Sequence, residues 1–210
     1  MFKLKYRIVE IEFEIRNISP EEFDSNHSNL YGMVELNFNG NVIGYHHSNE
    51  ISNNEISLGC FQDYSITRWI DILLDLLILL ENNKCVIISE LESDNWFLEF
   101  KKGKKNLNVR HIKAKNTHID KNTSVTIPYI YIDRLEYIFH YKHRGSVKKE
   151  IEILDCDWGP ISIETIQFYE EILNNTHLLL HDVSNTYENI YISKTILEIK
   201  NKMKLLKSES

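Results

Sequence analysis

The stretch SITRWIDILLDLLILLEN, residues 65–82, decides the fold of this chain. Between positions 66 and 80, eleven of the fifteen residues are Ile, Leu or Trp. A helix that is apolar around most of its circumference belongs in a protein core, and this one is shorter than the roughly 20 apolar residues that cross a bilayer. The stretch therefore predicts a central buried helix, with Asp63 or Ser65 as its N-cap. Its polar side chains form only a narrow stripe, made by Arg68, Asp71 and Asp75.

Two hairpins are predicted, one before and one after this helix. The first lies at residues 31–47 and turns at Asn39-Gly40, a pair typical of a type I′ turn. A two-residue turn there pairs Phe38 with Asn41, Leu36 with Ile43 and Val34 with Tyr45. The second turns at Gly103-Lys104, which sets Phe100 opposite Leu107, Leu98 opposite Val109 and Trp96 opposite His111. Both pairings gather apolar side chains on one face, so we expect the hairpins to pack against the central helix.

The remaining segments complete an α+β pattern. Alternation over residues 2–16 predicts a strand, and the apolar parity changes between Ile8 and Val9, which indicates a bulge or else a strand that changes sheets; we prefer the bulge. Because strands mostly precede the last two helices, we expect mainly antiparallel sheet. The predicted organisation is a single domain, residues 1–210, strand-rich to residue 154 and helical from 161 to 207. The other predicted elements are strands at 85–91, 124–132 and 147–154, a short helix between Asp133 and Gly145, and helices at 161–180 and 192–206.

The composition is that of a globular protein, 42% hydrophobic and 11% aromatic, with a net charge of -7. The first residues alternate polar and apolar side chains and do not form the apolar core of a signal peptide, so we expect a cytoplasmic location. The negative net charge disfavours nucleic acid and membrane surfaces as partners of the whole molecule. Wide spacing of the cysteines predicts buried thiols, not a disulfide framework or a metal site, at Cys60, Cys85 and Cys156.

Charge is divided into two opposed blocks. Residues 150–193 contain nine Asp or Glu and no Lys or Arg, whereas residues 101–115 contain seven Lys or Arg and no acid. Such blocks are most often solvated faces of a fold. The acidic block is also suited to docking a basic protein surface, because complementary charge steers association and aromatic side chains supply anchors. The candidate partner-binding residues are Glu150, Glu152, Asp155, Asp157, Trp158, Glu164, Glu170 and Glu171.

The basic block indicates an alternative function. A lysine-rich hairpin tip with Trp96 and Phe97 nearby is suited to contacting phosphates and stacking bases. A nucleic-acid-binding accessory protein of this kind would make its contacts through Lys101, Lys102, Lys104, Lys105 and Arg110. The acidic character of the whole chain argues against this function, so we prefer the protein-binding interpretation.

Two weak candidates for metal or thiol chemistry lie in the acidic block. His177 and His181 have the i, i+4 spacing of a zinc-binding helix, but leucines stand where the catalytic Glu of an HExxH motif belongs. The segment Asp155-Cys156-Asp157-Trp158 places a thiol between two carboxylates, an environment that does not activate it. We therefore expect no metal and no cofactor, and a metal-dependent enzyme is the least favoured function.

A third candidate is a carboxylate site beside an aromatic floor, as a glycosidase needs, formed by Glu90, Glu92, Asp94 and Trp96. Acids on the exposed face of a strand that runs into a turn are far commoner than such a site. The sequence contains no GxGxxG, Walker, GxSxG or paired CxxC motif. We therefore expect a protein that is not an enzyme.

The central helix and the segment CVIISELESDNWFLEFKKGKKNLNVRHI, residues 85–112, together resemble small uncharacterised bacterial proteins, some of them immunity-type proteins of polymorphic toxin systems. The residues that carry the resemblance are Glu90, Trp96, Leu98 and Phe100. The resemblance implies a cytoplasmic, non-catalytic protein that binds and blocks a cognate toxin, frequently a basic nuclease, through an acidic surface. These families share no catalytic motif, so the resemblance assigns no functional residue.

Overall fold

The chain divides into two compact units. The four-stranded unit comprises Phe2–Asp75 and Phe168–Ser210, and the six-stranded unit comprises Leu76–Gln167 together with Met1. The expectation of a single domain stays a prediction. The computed structural model describes residues 1–9, 15, 17–27, 29–46, 64–91, 96–115, 130–132, 135–137 and 152–208.

The four-stranded unit contains an antiparallel sheet in which β2 lies at the centre. Its strands are β1 (Phe2–Ile8), β2 (Tyr31–Phe38), β3 (Asn41–Tyr45) and β4 (Tyr64–Ser65). Both β1 and β3 pair with β2, and β4 pairs with the first residues of β2. The helices of the described chain are α1 (Pro20–Glu22), which a π-helical turn (Phe23–His27) continues, α2 (Ile66–Asn82), α3 (Thr165–Thr186), a 3-10 turn (Glu188–Ile190) and α4 (Lys194–Ser208).

Aromatic packing ties the first strand into the core of this unit. Phe2 is fully buried, and its ring centroid lies 5.0 Å from that of Phe38 on β2 and 4.6 Å from that of Phe168 on α3. Such tilted aromatic pairs stabilise a core beyond the area that they bury. The alternating sequence of β1 therefore places one set of side chains in the core, as the sequence predicts.

The six-stranded unit is built on a second antiparallel sheet, in the spatial order β10-β7-β6-β5-β8-β9. The central strands are buried at every position from 86 to 89 and from 97 to 100, so the sheet is covered on both faces there. Near-continuous apolar runs are the expected sequence for such strands. The strands are β5 (Cys85–Ser89), β6 (Trp96–Lys102), β7 (Asn106–Lys115), β8 (Ile130–Ile132), β9 (Leu135–Tyr137) and β10 (Glu152–Glu164). These two antiparallel sheets and the two C-terminal helices confirm the predicted α+β class.

The predicted central helix is confirmed as α2. Ser65 is its N-cap, since the Oγ of Ser65 accepts a hydrogen bond from the Arg68 backbone N at 3.3 Å; Asp63 lies outside the described residues. At the other end, the Lys102 ammonium donates to the carbonyl oxygens of Leu80 (2.9 Å) and Glu81 (3.4 Å), which satisfies C-terminal groups of the helix. The buried apolar side chains are Ile66, Trp69, Ile70, Ile72, Leu73, Leu74, Leu76, Leu77 and Leu80.

The first hairpin has the predicted register, and the second does not. Asn39 (φ 53°) and Gly40 (φ 98°) form the turn, and the pairs Phe38–Asn41, Leu36–Ile43 and Val34–Tyr45 are all present. In the second hairpin three residues separate the strands, and the Gly103 N donates to the Asn106 carbonyl oxygen at 2.7 Å. This longer connection shifts the register by two residues, so that the pairs are Phe100 with Val109, Leu98 with His111 and Trp96 with Lys113.

Three further predictions need correction. Residues 135–137, predicted in a short helix, form β9, because they pair with β8 and tertiary pairing overrides local helical spacing. The helix predicted from residue 161 begins at Thr165, since residues 161–164 continue β10 against β7. Cys156 is exposed, not buried, and Cys85 is half-buried. Outside the described residues lie Cys60, the strand predicted at 10–14 and the remainder of the predicted helix between 138 and 145.

Candidate partner-binding surface

Strand β10 lies at one edge of the six-stranded sheet and carries a continuous exposed run. All four residues from 154 to 157 are exposed, although a regular strand alternates its faces. The cause is three register shifts in the pairing with β7, between Ile153 and Asp155, between Cys156 and Trp158, and between Trp158 and Ile161. Bulges of this kind bend an edge strand and re-aim its side chains. We name residues 154–158 of β10 the acidic run, because Asp155 and Asp157 are its charged members.

Gly159 allows the strand to change direction directly after the acidic run. Its φ of +107° is one that other residues rarely adopt, and a Cβ at this position would lie 2.7 Å from the Val109 carbonyl oxygen and 2.9 Å from the Arg110 Cα. The backbone of β10 therefore approaches β7 more closely here than any side chain permits. Pro160 follows, and a proline suits an edge strand because it has no N–H to donate.

His111 on β7 joins the acidic run to the rest of the unit. Its Nδ1 lies 3.1 Å from the Asp157 Oδ2, and its Nε2 lies 3.2 Å from the Glu90 Oε2. The Trp96 ring stacks on the imidazole, with a centroid separation of 4.7 Å and an interplanar angle of 25°, and the Trp158 ring lies 5.5 Å away. The imidazole is thus bound by a carboxylate at each nitrogen and contacted by two indole rings.

The surroundings of His111 favour its charged form. Burial lowers the pKa of His111, but the hydrogen bonds and charges of Glu90 and Asp157 outweigh burial and raise the pKa above its ordinary value of 6.5. An imidazolium donates one N–H to each carboxylate, which uses both ring nitrogens. In that state each ring nitrogen faces a carboxylate oxygen, so the imidazolium holds a charge between Glu90 and Asp157 and orients their side chains.

The predicted partner-binding residues are distributed over both units. Asp155, Asp157 and Trp158 lie together in the acidic run, and Glu164 is exposed at the end of the same strand. Glu170 and Glu171 lie on α3 in the four-stranded unit. Of the last two predicted residues, Glu152 is on β10 but its side chain lies outside the described part, and Glu150 lies outside it altogether.

Glu171 has a structural contact. Its Oε1 accepts a hydrogen bond from the backbone N of Leu4 at 3.0 Å, so it binds an amide of β1. Glu170, one residue earlier on α3, is exposed. The two glutamates therefore differ in role although the sequence groups them.

Three of the five predicted nucleic-acid contacts have partners within the six-stranded unit. Arg110 forms an ion pair with the fully buried Glu99, and the Lys101 ammonium lies 3.5 Å from the other oxygen of that carboxylate. The hydrogen bond to Glu99 is the main cause that raises the pKa of Arg110, and the negative charge of Glu99 adds to it. Lys102 binds the end of α2. The nucleic-acid alternative stays a prediction, for which Lys104 and Lys105 supply exposed cations.

The two histidines of the candidate zinc helix are both exposed on α3. The His177 Nε2 lies 2.6 Å from the Lys207 ammonium, and partial burial together with that charge lowers the pKa of His177. The His181 ring lies 3.1 Å from the Asn185 side-chain nitrogen. Within the described ranges, no group of three or more His, Cys, Asp and Glu is placed to hold a metal ion.

In the four-stranded unit, the two aspartates of the polar stripe of α2 form a charge cluster with a lysine of α4. The Lys202 ammonium on α4 lies 2.6 Å from the Asp71 Oδ1 and 2.7 Å from the Asp75 Oδ1. One cation thus serves two carboxylates on successive turns of α2. No local pattern in the sequence signals this contact, since 131 positions separate Lys202 from Asp71.

A groove of about 580 Å³ lies in the four-stranded unit, lined by β1 and α3. Within it, the Tyr6 hydroxyl donates to the Asp182 Oδ2 at 2.7 Å. Burial, this hydrogen bond and the carboxylate charge all raise the pKa of Tyr6. Tyr6 is therefore a neutral donor whose proton is already committed to Asp182.

Comparison with protein-family models, with curated proteins and with solved structures finds no match to this chain. Among the described residues, none of the helices combines the length and the apolar content that crossing a bilayer requires.

Proposed function

We propose that the chain is a non-catalytic protein-binding protein, and that the acidic run of β10 docks a basic surface on its partner. The observation that carries the proposal is the exposed run of four residues on an edge strand, two of which are carboxylates, followed by Trp158. Leu154 is 55% exposed and supplies apolar contact beside the charges. An aromatic or aliphatic anchor surrounded by complementary charge is the usual composition of a binding surface.

The partner contacts side chains of β10; it does not extend the sheet. Three register shifts within the 13 residues of β10, together with Gly159 and Pro160, break the regular ladder that an added strand would need. Bulges and prolines are the features by which proteins protect edge strands against such pairing. The specificity of the surface therefore lies in Asp155, Asp157 and the neighbouring apolar groups.

The immunity class is the finer part of the proposal. Its support is the resemblance around residues 85–112 and the charge of residues 150–193, which includes nine acids and no Lys or Arg. A protein that blocks a basic nuclease needs a fast-associating acidic surface, and it needs no catalytic group of its own. In this function the chain binds its cognate toxin stoichiometrically in the cytoplasm.

A charge-reversal pair tests the docking surface. Tagged chain captures its partner from an extract of the source cells, and the affinity of the purified partner is then measured by calorimetry. We expect Asp155→Lys to weaken binding by at least about tenfold, or ~1.4 kcal/mol, because it places a cation against a basic surface. Glu21→Lys makes the same charge change at an exposed site on α1, outside the candidate partner-binding residues, and serves as the matched control, with an affinity within about twofold of wild type.

The two variants also discriminate between the proposal and its alternatives. Equal losses with Asp155→Lys and Glu21→Lys would mean that only net charge matters, and the assignment to β10 would be wrong. If the captured partner is a nucleic acid and binding is lost on neutralising Lys104 and Lys105, the basic loop is the functional surface instead. Protection of cell growth on co-expression with a captured toxin would support the immunity class.

A further inference from the structure

Asp157 belongs both to the proposed binding surface and to the contacts of His111. Its side chain is 55% exposed, so one carboxylate oxygen is available to a partner while Oδ2 lies 3.1 Å from the His111 Nδ1. The next residue, Trp158, contacts the same imidazole with its ring. His111 is therefore the side chain through which β7 holds the exposed end of the acidic run.

The backbone pairing of this segment is interrupted, although Asp155 and Cys156 also pair with β7, so contacts between side chains add to the attachment. Trp158 pairs with His111, but a register shift lies on each side of this pair, before it at Cys156 and after it at Ile161. A single pair between two irregularities contributes less to the ladder than a continuous set of pairs. The hydrogen bond from His111 to Asp157 and the contact between the His111 and Trp158 rings therefore supplement the interrupted ladder at this point.

We infer that His111, as an imidazolium, fastens residues 155–158 of β10 to the sheet, and that loss of its proton releases this segment. The inference concerns the regulation of the proposed binding surface and rests on that proposed function only for its effect on a partner. Release of the segment can be measured without any partner.

The number of N–H donors on the ring explains why loss of the proton releases the segment. The imidazolium has two N–H donors, one for Asp157 and one for Glu90, whereas the neutral ring has one donor and one lone pair. Deprotonation therefore sets a lone pair against one of the two carboxylates and removes the positive charge between them. The lost contact is a charge-assisted hydrogen bond, which is roughly twice as strong as a neutral one.

The groups that face the ring from each neighbouring element support the charged form. Glu90 follows β5 and Asp157 lies on β10, while β6 and β10 contribute the indole rings of Trp96 and Trp158. A cation also faces these rings, since the Lys113 ammonium on β7 contacts Trp96 at 5.7 Å from the ring centroid. Because the folded-state pKa of His111 is raised above 6.5, its stabilising effect is complete below pH 6.5 and is lost as the pH rises through the raised value.

Hydrogen exchange followed by mass spectrometry tests the inference on the full chain. Exchange of peptides covering residues 154–160 is measured from pH 6 to 9 and corrected for intrinsic rates, and the His111 pKa is measured by NMR in the same buffers. We expect protection to fall about tenfold across the NMR midpoint, as the loss of one charge-assisted hydrogen bond predicts. Protection that is constant with pH, or that changes at a pH away from the midpoint, would overturn the inference.

Three variants complete the test. His111→Gln has a neutral donor and no titration, so it should show low protection at every pH, whereas His177→Gln, on α3, should behave as wild type. Glu90→Gln keeps both His111 and Asp157 and should move the transition to lower pH; an unmoved transition counts against the inference. This variant retains the test if His111→Gln does not fold. None of these measurements uses a partner, so failure of the proposed function is distinguishable from failure of this inference.

Discussion

Replacing Asp75 by Asn should stabilise the protein at neutral pH, although it removes one half of an ion pair. Burial raises the pKa of Asp75 from 3.8 to about 6; Lys202 opposes the rise, and the carboxylates of Asp71 and Glu198 add to it. The difference corresponds to about 3 kcal/mol by which folding disfavours the charged carboxyl. Asn has the shape of the protonated side chain, and Asp71 remains to pair with Lys202.

The raised pKa of Asp75 determines how the stability gained in Asp75→Asn depends on pH. Because the folded-state pKa is the higher one, the neutral carboxyl contributes stability that is complete below pH 3.8 and is lost as the pH rises through about 6. Asp75→Asn retains that contribution at all pH values. We therefore expect it to raise the free energy of unfolding by at most about 3 kcal/mol at pH 7.5 and by about 0.5 kcal/mol at pH 4.

Urea unfolding followed by circular dichroism, at pH 7.5 and at pH 4, measures both values. Lys202→Met is the opposing variant, since it leaves two carboxylates without their cation and should cost about 3 kcal/mol at pH 7.5. A decrease in the free energy of unfolding of Asp75→Asn at pH 7.5 would refute the reasoning. It would show that the charged Asp75–Lys202 pair stabilises the fold despite its burial.

Two further predictions concern backbone contacts. Gly159→Ala forces a Cβ to within 2.7 Å of the Val109 carbonyl oxygen at a φ of +107°, so we expect a loss of about 2 kcal/mol or more and a lower Tm by thermal circular dichroism; an unchanged Tm would contradict the close approach. Asp24 accepts from the backbone N of Lys194 (2.7 Å) and of Thr195 (3.1 Å) at the start of α4, so Asp24→Ala should lower the free energy of unfolding by about 1–2 kcal/mol in a urea titration. Asp24→Asn keeps an acceptor oxygen, and equal losses in both variants would argue against capping.

The two hairpins show how far local sequence specifies register. At Asn39-Gly40 both residues adopt positive φ, and this turn alone determines each pair along β2 and β3. Gly103 also marks a turn, but a glycine does not specify the length of the connection, and three residues close it. The error is two residues, an even number, so each side chain stays on the predicted face of the strand.

Helix boundaries were misplaced where pairing with a distant strand decides the structure. Gly159-Pro160 has the composition of a helix start, yet β10 continues through it to residue 164 because residues 161–164 pair with β7. Leu135 to Tyr137 has helical spacing in its surroundings, but forms β9 beside β8. In both cases the competing partner lies outside the window that a local pattern covers.

The sequence identifies two parts of the candidate site separately but does not show that they lie together. The sequence places Glu90 with Trp96 in a weak carboxylate pattern, and places Asp157 with Trp158 separately, as candidates for thiol chemistry and for partner binding. His111 brings them together, and it is 46 residues from Asp157, so only the pairing of β10 with β7 shows the relation. The predicted pairing of His111 with Trp96 is wrong by two residues, but it puts both side chains on one face, where their rings stack. It does not indicate the two carboxylates.

The three tryptophans are placed so that their intrinsic fluorescence reports on different parts of the structure. Trp69 is 1% exposed in the core of the four-stranded unit, whereas Trp96 and Trp158 of the six-stranded unit touch an imidazole whose charge changes with pH. Emission from Trp69 therefore follows the loss of core packing, and emission from the other two also senses the proton on His111. Replacing one tryptophan at a time by Phe would allow the unfolding of each unit and the titration of His111 to be followed separately by fluorescence.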